Sequence, residues 1–139
     1  MKKRQDTLSI YRALDANCNR AREGFRVAED VARFVMNDAH LLSQLKKLRH
    51  GVTKAEKSIF GSPKVRSLAR DVEKDLGRGN KEKSEKARAN AGELLKANLK
   101  RAQEALRSLE EFSKLIQHPA SAQFKKIRYD CYKIEEKLF

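Results

Sequence analysis

The stretch Asp15-Ala-Asn-Cys-Asn-Arg-Ala-Arg-Glu-Gly-Phe-Arg-Val-Ala-Glu-Asp30 returns 81 positions later as Lys96-Ala-Asn-Leu-Lys-Arg-Ala-Gln-Glu-Ala-Leu-Arg-Ser-Leu-Glu-Glu111. Both copies place Asn, Arg, Glu, Arg and Glu at three-residue steps: Asn17, Arg20, Glu23, Arg26 and Glu29, then Asn98, Arg101, Glu104, Arg107 and Glu110. A repeat that keeps only apolar positions needs a shared packing role, whereas one that also keeps Asn, Arg and Glu asks for a shared polar task.

Around these polar positions, Leu14, Cys18, Ala21, Phe25, Ala28, Ala32 and Val35 recur at steps of four and three. Leu95, Leu99, Ala102, Leu106, Leu109 and Ile116 do the same, with Ser113 the one polar member. That spacing is the apolar seam of an α-helix. A second seam, Gly24, Val27, Val31 and Phe34, matches Ala105, Ser108, Phe112 and Leu115. Continued backwards it lands on Arg20 and Asn17, and on Arg101 and Asn98, so polar groups stand on a line otherwise meant for burial and need partners. Gly24 and Ala105 beside them leave room for a backbone or a ligand to come close.

The repeat extends further. Gln44-Leu-Lys-Lys-Leu-Arg-His50 aligns with Gln123-Phe-Lys-Lys-Ile-Arg-Tyr129 at an offset of 79, which pairs Arg49 with Arg128 and His50 with Tyr129. The changed offset puts a two-residue length difference between the helices of each hairpin, where loops tolerate it. A whole helical hairpin is therefore doubled.

The chain reads as helices from Asp6 or Thr7 to about Met36, from the recap at Asn37-Asp38 to Gly61, from about Ser84 to Gln117, and from about Ser121 to the end. Strand signals are absent. The expected fold is all-α, one domain over 1–139, an antiparallel helical bundle of repeat units 6–60 and 84–139 bridged by the unrepeated segment 61–83. In that segment Ser62-Pro63 starts a short helix, and Arg70-Asp71 with Asp75-Leu-Gly77 reads either as a charged turn or as a site where Asp71 and Asp75 hold Mg²⁺ and Arg70 meets phosphate.

A net charge of +13 predicts an anionic partner. No apolar run of signal or membrane length occurs in the sequence, and the expected location is the cytoplasm. Cys18 and Cys131 sit on apolar seams and read as buried hydrophobes. His40 and His118 read as surface or capping residues. No phosphate-binding Gly-x-x-x-x-Gly-Lys loop is present. Ladders such as Arg20–Glu23–Arg26–Glu29 read either as solvated ion pairs or as a site. Arginine forks and carboxylates around one ligand point to a phosphorylated compound held with a hard cation.

The Asn-Arg-Ala-Arg-Glu-Gly core with Arg26 and Glu29, Leu48-Arg-His50, Arg70-Asp71, Asp75-x-Gly77, the second copy from Asn98 to Glu111, and Arg128-Tyr129 resemble the alternative, monofunctional hydroxymethylpyrimidine phosphate kinase of thiamine biosynthesis. The resemblance covers nearly the whole chain. It implies ATP-dependent conversion of hydroxymethylpyrimidine phosphate to its diphosphate by a domain commonly fused ahead of thiamine phosphate synthase.

From the chemistry such a reaction asks for, Arg20, Glu23, Arg101 and Glu104 are the expected catalytic set. Arg20, Arg101, Arg49 and Arg128 would clamp the two phosphate groups, with Arg26, Arg70 and Arg107 adding to phosphate or substrate binding. Glu23, Glu104, Asp71 or Asp75 would hold Mg²⁺. Asn17 or Asn98 would meet the pyrimidine edge or a phosphate oxygen, and Tyr129 or His50 would stack on the ring. The rival reading is a non-enzymatic basic helical module binding RNA or another polyanion, though stacking aromatics are scarce. No membrane partner is expected, and dimerisation stays open.

Overall fold

The computed structural model describes residues 2–61 and 90–139, with side chains from Asp6 onward. Among the described residues there are four helices: α1 Lys2–Asp30, α2 Ala39–Phe60, α3 Ala91–Leu115 and α4 Ala120–Leu138, with a π-helical turn at Val31–Val35 closing α1. The all-α expectation holds, and no strand occurs among the described residues. The expected helix at Ser62-Pro63 and the candidates Arg70, Asp71 and Asp75 lie outside the described residues.

The helix ends follow the local chemistry. Asp38 accepts from the Leu41 amide at 2.9 Å and caps α2. Gly61, at φ +71°, ends that helix in a conformation that a side chain would strain. The third helix starts later than Ser84: Asn90, in extended conformation, caps it by accepting from the Glu93 amide at 2.9 Å. Before α4, His118 Nδ1 accepts from the Ala120 amide at 3.0 Å. That leaves Nε2–H to donate to the Ser58 carbonyl at 3.1 Å, tying the turn of one hairpin to the end of the other.

The two-residue length difference divides between helix and turn. Ala32 and Ser113 are equivalent, and their carbonyls accept from Asp38 at 2.8 Å and His118 at 3.0 Å, so the first copy spans six residues where the second spans five. The added residue sits in the π turn, where the Met36 amide reaches back five residues to Val31 at 2.9 Å. Both turns then pass through a left-handed residue, Asn37 at φ 53° and Gln117 at φ 51°. The loop expectation is therefore corrected in part: one of the two residues lies in the last turn of the first helix, and the other follows Asn37.

Helix α1 packs on α2 and α3, and α4 packs on the same two, while neither α1 with α4 nor α2 with α3 is in contact among the described residues. Ion pairs at Arg22–Glu56 and Glu29–Arg49 set α1 against α2 antiparallel. Gln103–Glu135 and Glu110–Arg128 do the same for α3 and α4. With the His118–Ser58 bond opposing α2 and α4, α3 must run opposite to α1.

The core is the predicted seam as far as Ala32 and Leu109, with Leu14, Cys18, Phe25, Leu99, Leu106 and Leu109 fully buried, whereas Val35 at its end and Phe34 and Leu115 of the second seam are exposed, contrary to expectation. Cys18 and Cys131 are free and buried, and burial pushes the Cys131 thiol up to about 12. Ser113 takes the place of Ala32 inside this core, with its hydroxyl unpartnered among the described residues.

Between α1 and α3 the approach is closest at Gly24. A Cβ there would stand 2.8 Å from the Asn98 carbonyl oxygen and 3.2 Å from the Ala102 nitrogen. The space left by Gly24 is thus filled by the backbone of α3, and this contact fixes the level at which the two repeated motifs face one another.

Candidate active site

On α1, Asn17, Arg20 and Gly24 follow one another at helical steps of three and four and so form one line. Asn98, Arg101 and Ala105 form the matching line on α3. Gly24 faces the turn from Asn98 to Ala102, which puts Arg101 level with Glu23 and, by the repeat, Arg20 level with Glu104. Along the seam the order is Asn17, Arg20, Arg101, Asn98, about one helical turn apiece. Arg20, Glu23, Arg101 and Glu104 are exposed, while Asn17 and Asn98 are each 7% exposed at the base of the seam.

The two sets therefore share one outer face of the α1/α3 pair. Its geometry also answers the solvated-ladder reading in part. No ion pair joins Arg20 to Glu23 or Glu23 to Arg26 among the described residues, whereas Arg107 pairs with Glu111 at 3.1 Å and Glu110 at 3.8 Å. Arg26 and Arg107 are exposed and three residues further round, away from the seam. Arg101 carries a further interaction of its own.

Arg49 and Arg128 have other work. Arg49 donates through Nε to Glu29 at 2.6 Å and through Nη2 at 3.2 Å. Arg128 donates through Nε to one oxygen of Glu110 and through Nη2 to the other at 3.0 Å, and its Nη1 reaches the Tyr132 hydroxyl at 3.1 Å. Both guanidinium forks are thus filled by carboxylates of their own hairpin, and the bond to Glu110 raises the pKa of Arg128 further. Of the four arginines expected in the clamp, only Arg20 and Arg101 lie on the shared α1/α3 face.

Tyr129 lies over Arg128 on α4, with its ring centroid 5.0 Å from the guanidinium and edge-on to Tyr132 at 5.7 Å. His50 is exposed on α2. The helices that carry His50 and Tyr129 sit outside the α1/α3 pair, so the stacking role assigned to these residues has no place on that face.

Sequence reasoning missed the second pair of pins. Arg22 meets Glu56 at 3.0 Å, and its equivalent Gln103 meets Glu135 at 2.6 Å. The signal was present at offsets 81 and 79, but Arg against Gln hid it.

For a cation, the described residues contain no group of three or more His, Cys, Asp or Glu side chains placed to hold a metal. Glu23 and Glu104 on the shared face supply two carboxylates. That suits Mg²⁺, which is commonly bound by one or two carboxylates plus substrate phosphates.

Fold and face together define a duplicated-hairpin helical protein with an arginine-bearing polar seam along its α1/α3 pair. Residues 12–137 match the ThiD2 family, and the chain belongs to it. It is 41% identical over 93% of its length to the thiamine-phosphate synthase of Nostoc punctiforme, covering 35% of that protein. Against the thiamine-phosphate synthase of Rhodopirellula baltica the identity is 39% over 91% of the chain and 33% of the relative. The Synechocystis protein of the same name is 38% identical over 94% of the chain and 36% of the relative. The chain thus spans about a third of the length of these relatives. No solved structure matches it. No described helix is long and apolar enough to cross a membrane.

Proposed function

We propose that this chain acts in thiamine biosynthesis as a phosphotransferase, converting hydroxymethylpyrimidine phosphate to its diphosphate at the expense of ATP. The observation that carries the proposal is the meeting of Arg20 and Arg101, with Glu23 and Glu104, on one face of the α1/α3 pair. Membership of the ThiD2 family and the name shared by its relatives support the pathway.

The chemistry asks little beyond alignment and charge. A phosphate monoester with second pKa of about 6 is already largely dianionic at neutral pH, so its oxygen can attack the terminal phosphorus of ATP without a general base. ADP leaves, and the new bridge makes the diphosphate. Two polyanions must be brought together, and forked guanidinium groups neutralise and orient phosphate oxygens better than point charges do. Arg20 and Arg101, one turn apart at the centre of the seam, perform that task. Mg²⁺, held by Glu23 and Glu104 with substrate oxygens, would supply further neutralisation of phosphate charge.

The rival polyanion-binding reading draws on one feature. Lys47, Lys126, Lys133 and Lys137 edge a groove between α2 and α4, floored by Leu48 and Ile127, on the far side of the bundle from the seam. The two readings separate in one experiment. Protein incubated with ATP, Mg²⁺ and hydroxymethylpyrimidine phosphate is expected to yield the diphosphate and ADP in equal amounts by mass spectrometry. No diphosphate, together with salt-sensitive binding of a short RNA, would favour the rival.

A further inference from the structure

The two asparagines at the ends of the seam are oriented by the same contact. Asn17 Nδ2 donates to the Ala13 carbonyl at 2.9 Å, and Asn98 Nδ2 donates to the Leu94 carbonyl at 2.9 Å. A carbonyl acceptor fixes which end of each amide faces it, because Oδ1 in that place would set two acceptors together. Each residue is 7% exposed, yet neither Oδ1 belongs to the sealed, unpartnered atoms, and no described donor reaches either one. Each end of the seam therefore presents an accessible acceptor oxygen set one turn beyond an arginine.

An acceptor oxygen repels phosphate and welcomes N–H. We infer that the Asn17 and Asn98 amides read the exocyclic amine of the heterocycle, leaving the phosphate to the arginines between them. The inference rests on the pyrimidine phosphate reading above and deepens it: the seam is divided into a ring-reading end and a phosphate-binding centre. One helical turn, about 5 Å, separates each asparagine from its arginine. A pyrimidine that carries its amine and its phosphate-bearing arm on neighbouring carbons spans a comparable length. Because both repeats carry the pair, the seam offers two such half-sites in opposite directions, and a single acceptor molecule needs one of them. The unused hydrogen on Nδ2 can donate to a ring nitrogen beside the amine, the pattern by which an asparagine amide recognises adenine.

The test compares hydroxymethylpyrimidine phosphate with an analogue bearing hydrogen in place of the amine, by titration calorimetry on the wild-type chain and on Asn17→Ala and Asn98→Ala. Wild type is expected to favour the aminated ligand roughly tenfold to a hundredfold. At least one variant is expected to lose that preference while binding the analogue as wild type does. No preference in wild type overturns the inference without reliance on any variant, and so does equal weakening of both ligands, which marks a phosphate contact. Preference retained in both variants overturns it as well. Turnover measured on the same wild-type sample separates this inference from the kinase reading. Preference for the amine without diphosphate formation removes only the kinase, and diphosphate formation without preference removes only the role given to the amides.

Discussion

Replacing Arg20 or Arg101 with alanine is expected to lower kcat/KM for diphosphate formation by about 10² to 10³-fold, the loss typical when one preorganised donor to developing phosphate charge is removed. The helical circular dichroism and the melting temperature should stay close to wild type, because both side chains are exposed and neither belongs to the core. Lysine at either position keeps the charge but forfeits the fork, so Arg20→Lys should recover only part of the rate. Steady-state kinetics with mass detection of product checks this. Full turnover in both alanine variants would take the arginines out of the reaction. The double variant should lose less than the product of the two single losses, since the two groups stand one turn apart around the same phosphates and act as a unit.

The largest stability effect is expected at Glu110→Ala. Glu110 is 1% exposed and Arg128 8% exposed, and removing the carboxylate leaves a guanidinium stranded inside the protein. Breaking a buried pair in this way costs about 3–5 kcal/mol. Glu29→Ala strands Arg49, whose side chain is 14% exposed, and should cost about 3 kcal/mol, near the low end of that range. Urea denaturation followed by circular dichroism measures both. Replacing the whole pair, Glu110→Leu with Arg128→Met, should recover much of the loss, because no charge is then left unpaired. If Arg128 only pins α4 to α3, the paired variant also keeps its kcat. A paired variant that folds well but no longer turns over would restore Arg128 to the phosphate clamp.

Comparison of the repeats shows where sequence was sufficient. The seam from Leu14 to Ala32 and its copy from Leu95 are the core, because a period of four and three leaves a helix only one way to bury them. The polar continuation through Asn17 and Arg20 was equally readable, since residues on one helical line share a face whatever the helix packs against. What could not be read was partnership. Glu29 and Glu110 recur at one offset and Arg49 and Arg128 at the other, yet nothing in a linear pattern says that these two sets meet. Only the antiparallel pairing within each hairpin brings them together, and it turns two expected phosphate ligands into internal pins.

The π turn was hidden for a related reason. Where an extra residue goes between Glu29 and Asn37 is decided by whether the helix can widen without losing the register of Val31 and Ala32, both buried. Widening keeps those two against α2 and α3 and leaves Phe34 and Val35 exposed at 70% and 63%. A plain loop insertion, by contrast, would have left the helix end identical in both copies.

The most direct test of the shared α1/α3 face follows backbone and side-chain amide resonances of ¹⁵N-labelled protein while hydroxymethylpyrimidine phosphate, Mg²⁺ and a non-hydrolysable ATP analogue are added. Shifts should concentrate on the seam, at Asn17, Arg20, Gly24, Asn98, Arg101 and Ala105, including the two asparagine side-chain amides. Shifts that bypass those positions and gather instead along Lys47, Gly51, Lys126 and Lys133, on the opposite side of the bundle, would contradict the account.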